Sequence, residues 1–138
     1  DSLKGALQSF GFEVTEVDIL IDPACDLCVN DGLFNVVLTQ AAAGAYCAVI
    51  AAPPCGTFSV ARLGQNNGLK PQPPARGFPT GPTPIRTRSH IMGLPGLGAA
   101  AHARLLTANT LVSRTVAILK TVYHSGGVFI MESPVESS

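Results

Sequence analysis

Apolar positions divide the chain into segments with different periods. Leu3, Ala6, Leu7 and Phe10 recur at spacings of three and four, which predicts a short helix over Leu3 to Phe10, stopped by Gly11. Phe12 to Leu20 is rich in valine and isoleucine and reads as a strand, with Asp18 near its end. Asp22-Pro23 is turn chemistry. Gly32 to Ala43 predicts a second helix, with Leu33, Val36, Val37 and Gln40 along one side and Gly44 closing it. The small and apolar run Ala45 to Ala52 reads as a buried strand. Pro53 and Pro54 end it, because neither can donate to a ladder. A long helix is predicted over Ala100 to His124, with a broad stripe including Leu105, Leu111, Ile118 and Leu119. Gly126-Gly127 stop that helix, and Val128 to Met131 form the last strand.

The order up to Pro53 is helix, strand, short strand, helix, strand, and a further helix and strand follow. Such alternation predicts an α/β fold with a mainly parallel sheet and right-handed crossovers. Hydrophobic residues are 46% of the 138 and charged residues 13%, enough to bury a core in one domain or part of one. Net charge is zero, so the chain as a whole carries no electrostatic footprint for nucleic acid. No apolar run reaches the ~18 residues of a membrane span, and the amphipathic start is unlike a secretory signal. Cys25 and Cys28 have CxxC spacing, but there is no second pair, and His90, His102 and His124 are scattered, so no metal site is expected. Cys47 reads as a small core residue. Sparse cysteine suits a reducing, intracellular setting, cytoplasm or nucleus.

Charge is uneven along the chain. Ala61 to Ala99 holds no acidic residue and six cations if His90 is counted: Arg62, Lys70, Arg76, Arg86, Arg88 and His90. Prolines and glycines recur through it without a period, so an irregular loop with exposed cations is expected. Two readings fit it. Arg62, Arg86 and Arg88 could contact phosphates, or the stretch could be a solvated spacer.

Candidate chemistry sits at two strand ends. Pro53-Pro54-Cys55 puts a thiol just past one strand, followed by Phe58-Ser59, and Met131-Glu132 puts a carboxylate just past the other. In open α/β sheets ligands collect beyond the carboxyl ends of strands, and an acidic residue at the end of the second strand commonly holds ribose hydroxyls. Asp18 occupies that place, although a solvated aspartate would look the same. A buried strand-end thiol at Cys55 and a surface carboxylate at Glu132 are the plain alternatives.

The pair of motifs, in this order, resembles the cytosine-C5 DNA methyltransferases. The resemblance runs over residues 1–59 and from about Arg104 to Ser133, and it leaves out the Pro/Gly-rich middle. It implies a Rossmann-like methyltransferase fold and S-adenosylmethionine as cofactor. Cys55 is then the nucleophile and Glu132 the group that holds the cytosine edge. Asp18 would hold the cofactor's ribose and Asp26 its adenine amine, with Asp22 and Asp31 as rivals for the second role. Pro53 and Pro54 would line the cofactor site, and Ser59, Arg62, Arg86 and Arg88 would meet DNA. The chain departs from the family in three ways. No G-x-G lies upstream of Leu3, which suggests a partial catalytic domain lacking its first strand. Ser133 replaces an asparagine, and the loop after Cys55 is longer. Two alternatives remain: an amino-methyltransferase of the same fold acting on cytosine N4 or adenine N6, or a non-catalytic relic domain of a mobile-element polyprotein. Against the first, Ala52 offers no side-chain acceptor for a target amine.

Overall fold

The computed structural model describes residues 2–53, 85–86 and 89–132. Helix α1 spans Leu3–Ser9, and the Ser2 hydroxyl caps it by accepting from the Gly5 amide at 3.1 Å. A single 3-10 turn, Pro23–Cys25, precedes α2 at Asp31–Ala42. Strand β1 is Ala48–Ala51, α3 is the 26-residue helix Ala99–His124, and β2 is Val128–Met131. The two strands pair in parallel, Ala48 with Val128 through to Ala51 with Met131. This helix-and-parallel-sheet arrangement is α/β in class.

The core forms where α2 meets α3. Val37 and Ala41 of α2 pack with Ile118 and Val122 of α3, and Leu33, Phe34, Leu38, Tyr46 and Val49 close around them. Val49 lies on the sheet face turned toward α3, so helices cover that face and the ladder forms beneath them. Ile50 and its register partner Ile130 point to the opposite face and are exposed.

The passage from α3 to β2 is tight. Gly126 has φ +93°, a backbone conformation that glycine adopts without steric cost. Gly127 meets a different constraint. A Cβ there would lie 2.6 Å from Val122 Cγ1 and 2.9 Å from the Tyr46 carbonyl oxygen. With no side chain in the way, the Gly127 amide donates to Val122 O at 2.9 Å and the Val128 amide to Cys47 O at 3.0 Å, which starts the ladder.

Several expectations are corrected, and Cys47, read as a small core residue, is exposed. Residues 12–20, expected as a strand, form none and have no ladder partner among the described residues. Their valines favour extended backbone, but a strand needs a neighbour to exchange hydrogen bonds with, and none stands beside them among the described residues. The short strand before α2 is absent too. Asp18, Asp22, Asp26 and Asn30, four residues apart, accept from the amides of Leu20, Ala24, Cys28 and Leu33 at 2.8, 2.9, 2.9 and 3.0 Å. These side-chain turns compete with any ladder and fold the segment on itself. The buried side of α2 also differs: Phe34, Val37, Leu38 and Ala41 face the core, while Val36 and Gln40 face solvent.

Candidate active site

Pro53 and Glu132 leave the sheet side by side. Ala51 pairs with Met131 at the last rung, and the Glu132 amide donates to Ala51 O at 2.8 Å. Ladder pairing ends at residue 51, as expected of a strand that runs into prolines. Because the strands are parallel and end in register, both carboxyl ends open on one rim. Glu132 is exposed there and Pro53 half-buried. The sole ion pair among the described residues is elsewhere, so no cation neutralises the Glu132 carboxylate within that set. Cys55, Pro54, Ser59, Arg62 and Arg88 lie outside the described residues.

Asp18 and Asp26 are half-buried on the turn-rich segment between α1 and α2. Each engages one carboxylate oxygen in its own turn, Asp18 with the Leu20 amide and Asp26 with the Cys28 amide. The rivals of Asp26 differ from it. Asp22 is exposed and caps the 3-10 turn. Asp31 is held by Arg114 at 2.6 Å, so its charge is already balanced.

That arginine ties the segment to α3. Arg114 Nη1 donates to Leu27 O at 2.7 Å, Nη2 reaches Asp31, and the guanidinium stands over the Phe34 ring at 4.8 Å. One side chain thereby binds the turn, the α2 N-terminus and the core edge together. Nearby, the Cys28 thiol donates to Thr107 O at 3.4 Å. Burial pushes the Cys28 pKa up, and the Asp26 carboxylate adds to the rise, so the group stays a neutral thiol.

Arg86 corrects the expectation of a phosphate-facing cation. It is only 4% exposed. Its Nη1 donates to Ile91 O at 2.7 Å and to Asn109 Oδ1 at 2.6 Å, while Asn109 Nδ2 donates to Met92 O at 3.1 Å. Burial lowers the guanidinium pKa from its ordinary value. The cation therefore fastens the stretch before α3 onto that helix. Neither Asn109 nor Arg114 stood out as a binding partner in the sequence. The signal available for Asn109 was a polar residue in the middle of an apolar helix.

Among the described residues no group of three or more histidine, cysteine, aspartate or glutamate side chains could hold a metal ion. Within the same set, no helix is long and apolar enough to cross a membrane. No protein family, curated protein or solved structure matches the chain.

Proposed function

We propose that this chain carries the thiol-and-carboxylate rim of an S-adenosylmethionine-dependent methyltransferase acting on C5 of cytosine in DNA, built on a Rossmann-like sheet. The observation that carries the reading is the side-by-side exit of Pro53 and Glu132 from neighbouring parallel strands. Cys55 follows Pro53 by two residues, which span at most about 7 Å of chain. A thiol and a carboxylate so tethered can share one flattened base.

The chemistry asks for these residue types. Cytosine C5 becomes nucleophilic only after a nucleophile adds at C6, and a thiolate is suited to that addition. Glu132 would hold N3 and the exocyclic amine and stabilise the ring as charge develops. The target base must leave the duplex to reach such a rim. S-adenosylmethionine supplies the electrophilic methyl group. Loss of the C5 proton then reforms the double bond and expels Cys55. Ribose hydroxyls and an adenine amine are hydrogen-bond donors, and carboxylates are acceptors only, so Asp18 and Asp26 fit the cofactor in kind.

The test uses duplex DNA containing 5-fluorocytosine with S-adenosylmethionine. After methyl transfer the fluorinated carbon has no proton to lose, so the enzyme stays bonded to the base. A denaturation-resistant protein–DNA adduct is expected, abolished by Cys55→Ala and slowed about a hundredfold or more by Glu132→Gln. The chain alone is read as part of a catalytic domain, so the assay uses the whole protein that carries it. An adduct that survives Cys55→Ala there, or no adduct from that protein unsubstituted, would overturn the proposal.

A further inference from the structure

Three aromatic rings stand together on the surface where α3 runs into β2. Tyr123 meets His124 edge-on, with ring centroids 5.8 Å apart and planes at 67°. It meets Phe129 of β2 in the same manner, at 6.2 Å and 81°. Edge-to-face pairs of this kind fix the rings relative to one another. The cluster nevertheless does not bury itself: Tyr123 is 61% exposed, Phe129 47%, and His124 is exposed as well. Lys120, also exposed, lies one helical turn before Tyr123 and His124 on the same side of α3.

Zero net charge hides a segregated distribution. No acidic residue falls between Asp31 and Glu132, and of the nine lysines and arginines only Lys4 lies outside that interval. α3 has no acidic residue along its 26 positions. The fold keeps the acidic end away from the rings. α2 runs from Asp31, held by Arg114, to Ala42, whose carbonyl accepts from Ser125 Oγ at 3.3 Å. About 18 Å of helix therefore separates Asp31 from the cluster. Asp26 lies further back still, since its neighbour Cys28 meets Thr107 O. Glu132 leaves the other end of β2, about 10 Å along the strand from Phe129.

We propose that Tyr123, His124 and Phe129 form a stacking platform for unpaired bases of a nucleic-acid strand, with Lys120 on the adjoining phosphate. An open ring face accepts any base whose own face is free, whereas a duplex keeps those faces covered by neighbouring pairs. A surrounding of one sign of charge draws a polyanion rather than a neutral apolar partner. The platform is separate from the rim of Cys55 and Glu132 and needs neither the thiol nor S-adenosylmethionine.

The test uses the whole protein that carries this chain, without S-adenosylmethionine. Oligothymidylate containing 5-iododeoxyuridine is bound and irradiated, and the crosslinked peptides are mapped by mass spectrometry. Crosslinks at Tyr123, His124 or Phe129 are expected. In fluorescence anisotropy Tyr123→Ala should weaken oligothymidylate binding roughly tenfold, the scale of one lost base stack, and Tyr123→Phe should restore it. Lys120→Gln should flatten the dependence of log affinity on log salt by about 0.7. Duplex of the same length should be indifferent to Tyr123→Ala. Of oligothymidylate and oligouridylate, the strand with the larger Tyr123 dependence identifies DNA or RNA as the ligand. Failure of the Cys55 adduct would leave these expectations unmoved. Crosslinks confined to other residues, single-strand binding unchanged by Tyr123→Ala, or Tyr123→Phe as weak as Tyr123→Ala would overturn the proposal.

Discussion

Replacing Gly127 with alanine adds one methyl group at the tight junction between α3 and β2. The new Cβ would sit 2.6 Å from Val122 Cγ1, 2.9 Å from Tyr46 O and 3.1 Å from Cys47 O. Val122 is fully buried and cannot swing aside, and the two oxygens belong to the backbone that leads into β1. Relief must come from moving β2 outward by several tenths of an ångström. That movement strains the bond from the Val128 amide to Cys47 O, the first rung of the ladder. Overpacking of this kind costs about 1–3 kcal/mol and a weakened hydrogen bond about 1 kcal/mol, so a loss of about 2–3 kcal/mol is expected. Against a typical total of about 5–15 kcal/mol this is substantial. Urea unfolding followed by far-ultraviolet circular dichroism should show the midpoint falling by about 1 M or more. Gly126→Ala is the control. It carries the left-handed φ of +93° but has nothing within 4 Å of the added methyl, so it should cost about 1–2 kcal/mol. On backbone conformation alone Gly126 would be the more sensitive position. A Gly127→Ala variant no less stable than Gly126→Ala would refute the reasoning.

Arg114→Ala should destabilise by about 1–2 kcal/mol and Asp31→Asn by under about 1 kcal/mol, both read by urea unfolding. Asp31 is 74% exposed, so solvent screens the ion pair, whereas the 23%-exposed arginine also loses Leu27 O and Phe34. Asn109→Leu should cost about 1–3 kcal/mol in the same assay, more than Arg86→Met, because it strips an acceptor from a cation that stays buried. Cys28 should react with iodoacetamide more slowly in the folded chain than in urea, and Asp26→Asn should narrow the gap, as followed by mass spectrometry. Its folded pKa is raised, so the stability it contributes is complete below the unfolded thiol's pKa. That contribution is lost as pH rises through the higher folded value.

Which elements could be read in advance follows from what fixes them. The three helices have local causes: apolar spacing, caps at Ser2 and Asn30, and glycines at their ends. The last strand follows as directly from Val-Phe-Ile-Met after two glycines. Residues 12–20 misled because β propensity describes a residue's fit to a sheet, and pairing depends on what lies alongside. The competing signal was present as an Asx residue at every fourth position from Asp18 to Asn30. Long-range polar pairs were not legible. Arg114 and Asp31 are 83 residues apart, and Arg86 finds Asn109 across 23. An arginine in an unpaired basic stretch reads as solvent-facing until the carbonyls that bury it are seen. Adjacency of the β1 and β2 ends has a simpler origin, since a strand, a crossover helix and a second strand close most readily as parallel neighbours.

Each rung of the parallel ladder joins residues 80 positions apart, as 128 − 48 and 131 − 51 show. Closing a loop of that length costs about 4 kcal/mol in chain entropy before any strand hydrogen bond forms. Formation of the sheet should therefore be late and slow, with α2 and α3 docking around Val37 and Ile118 to bring the strand sequences near. The same logarithm makes the length of chain between β1 and α3 forgiving, because doubling a loop adds only about 0.6 kcal/mol. A rim built this way tolerates large changes in the length of chain between its two halves, although one methyl group at residue 127 disturbs it.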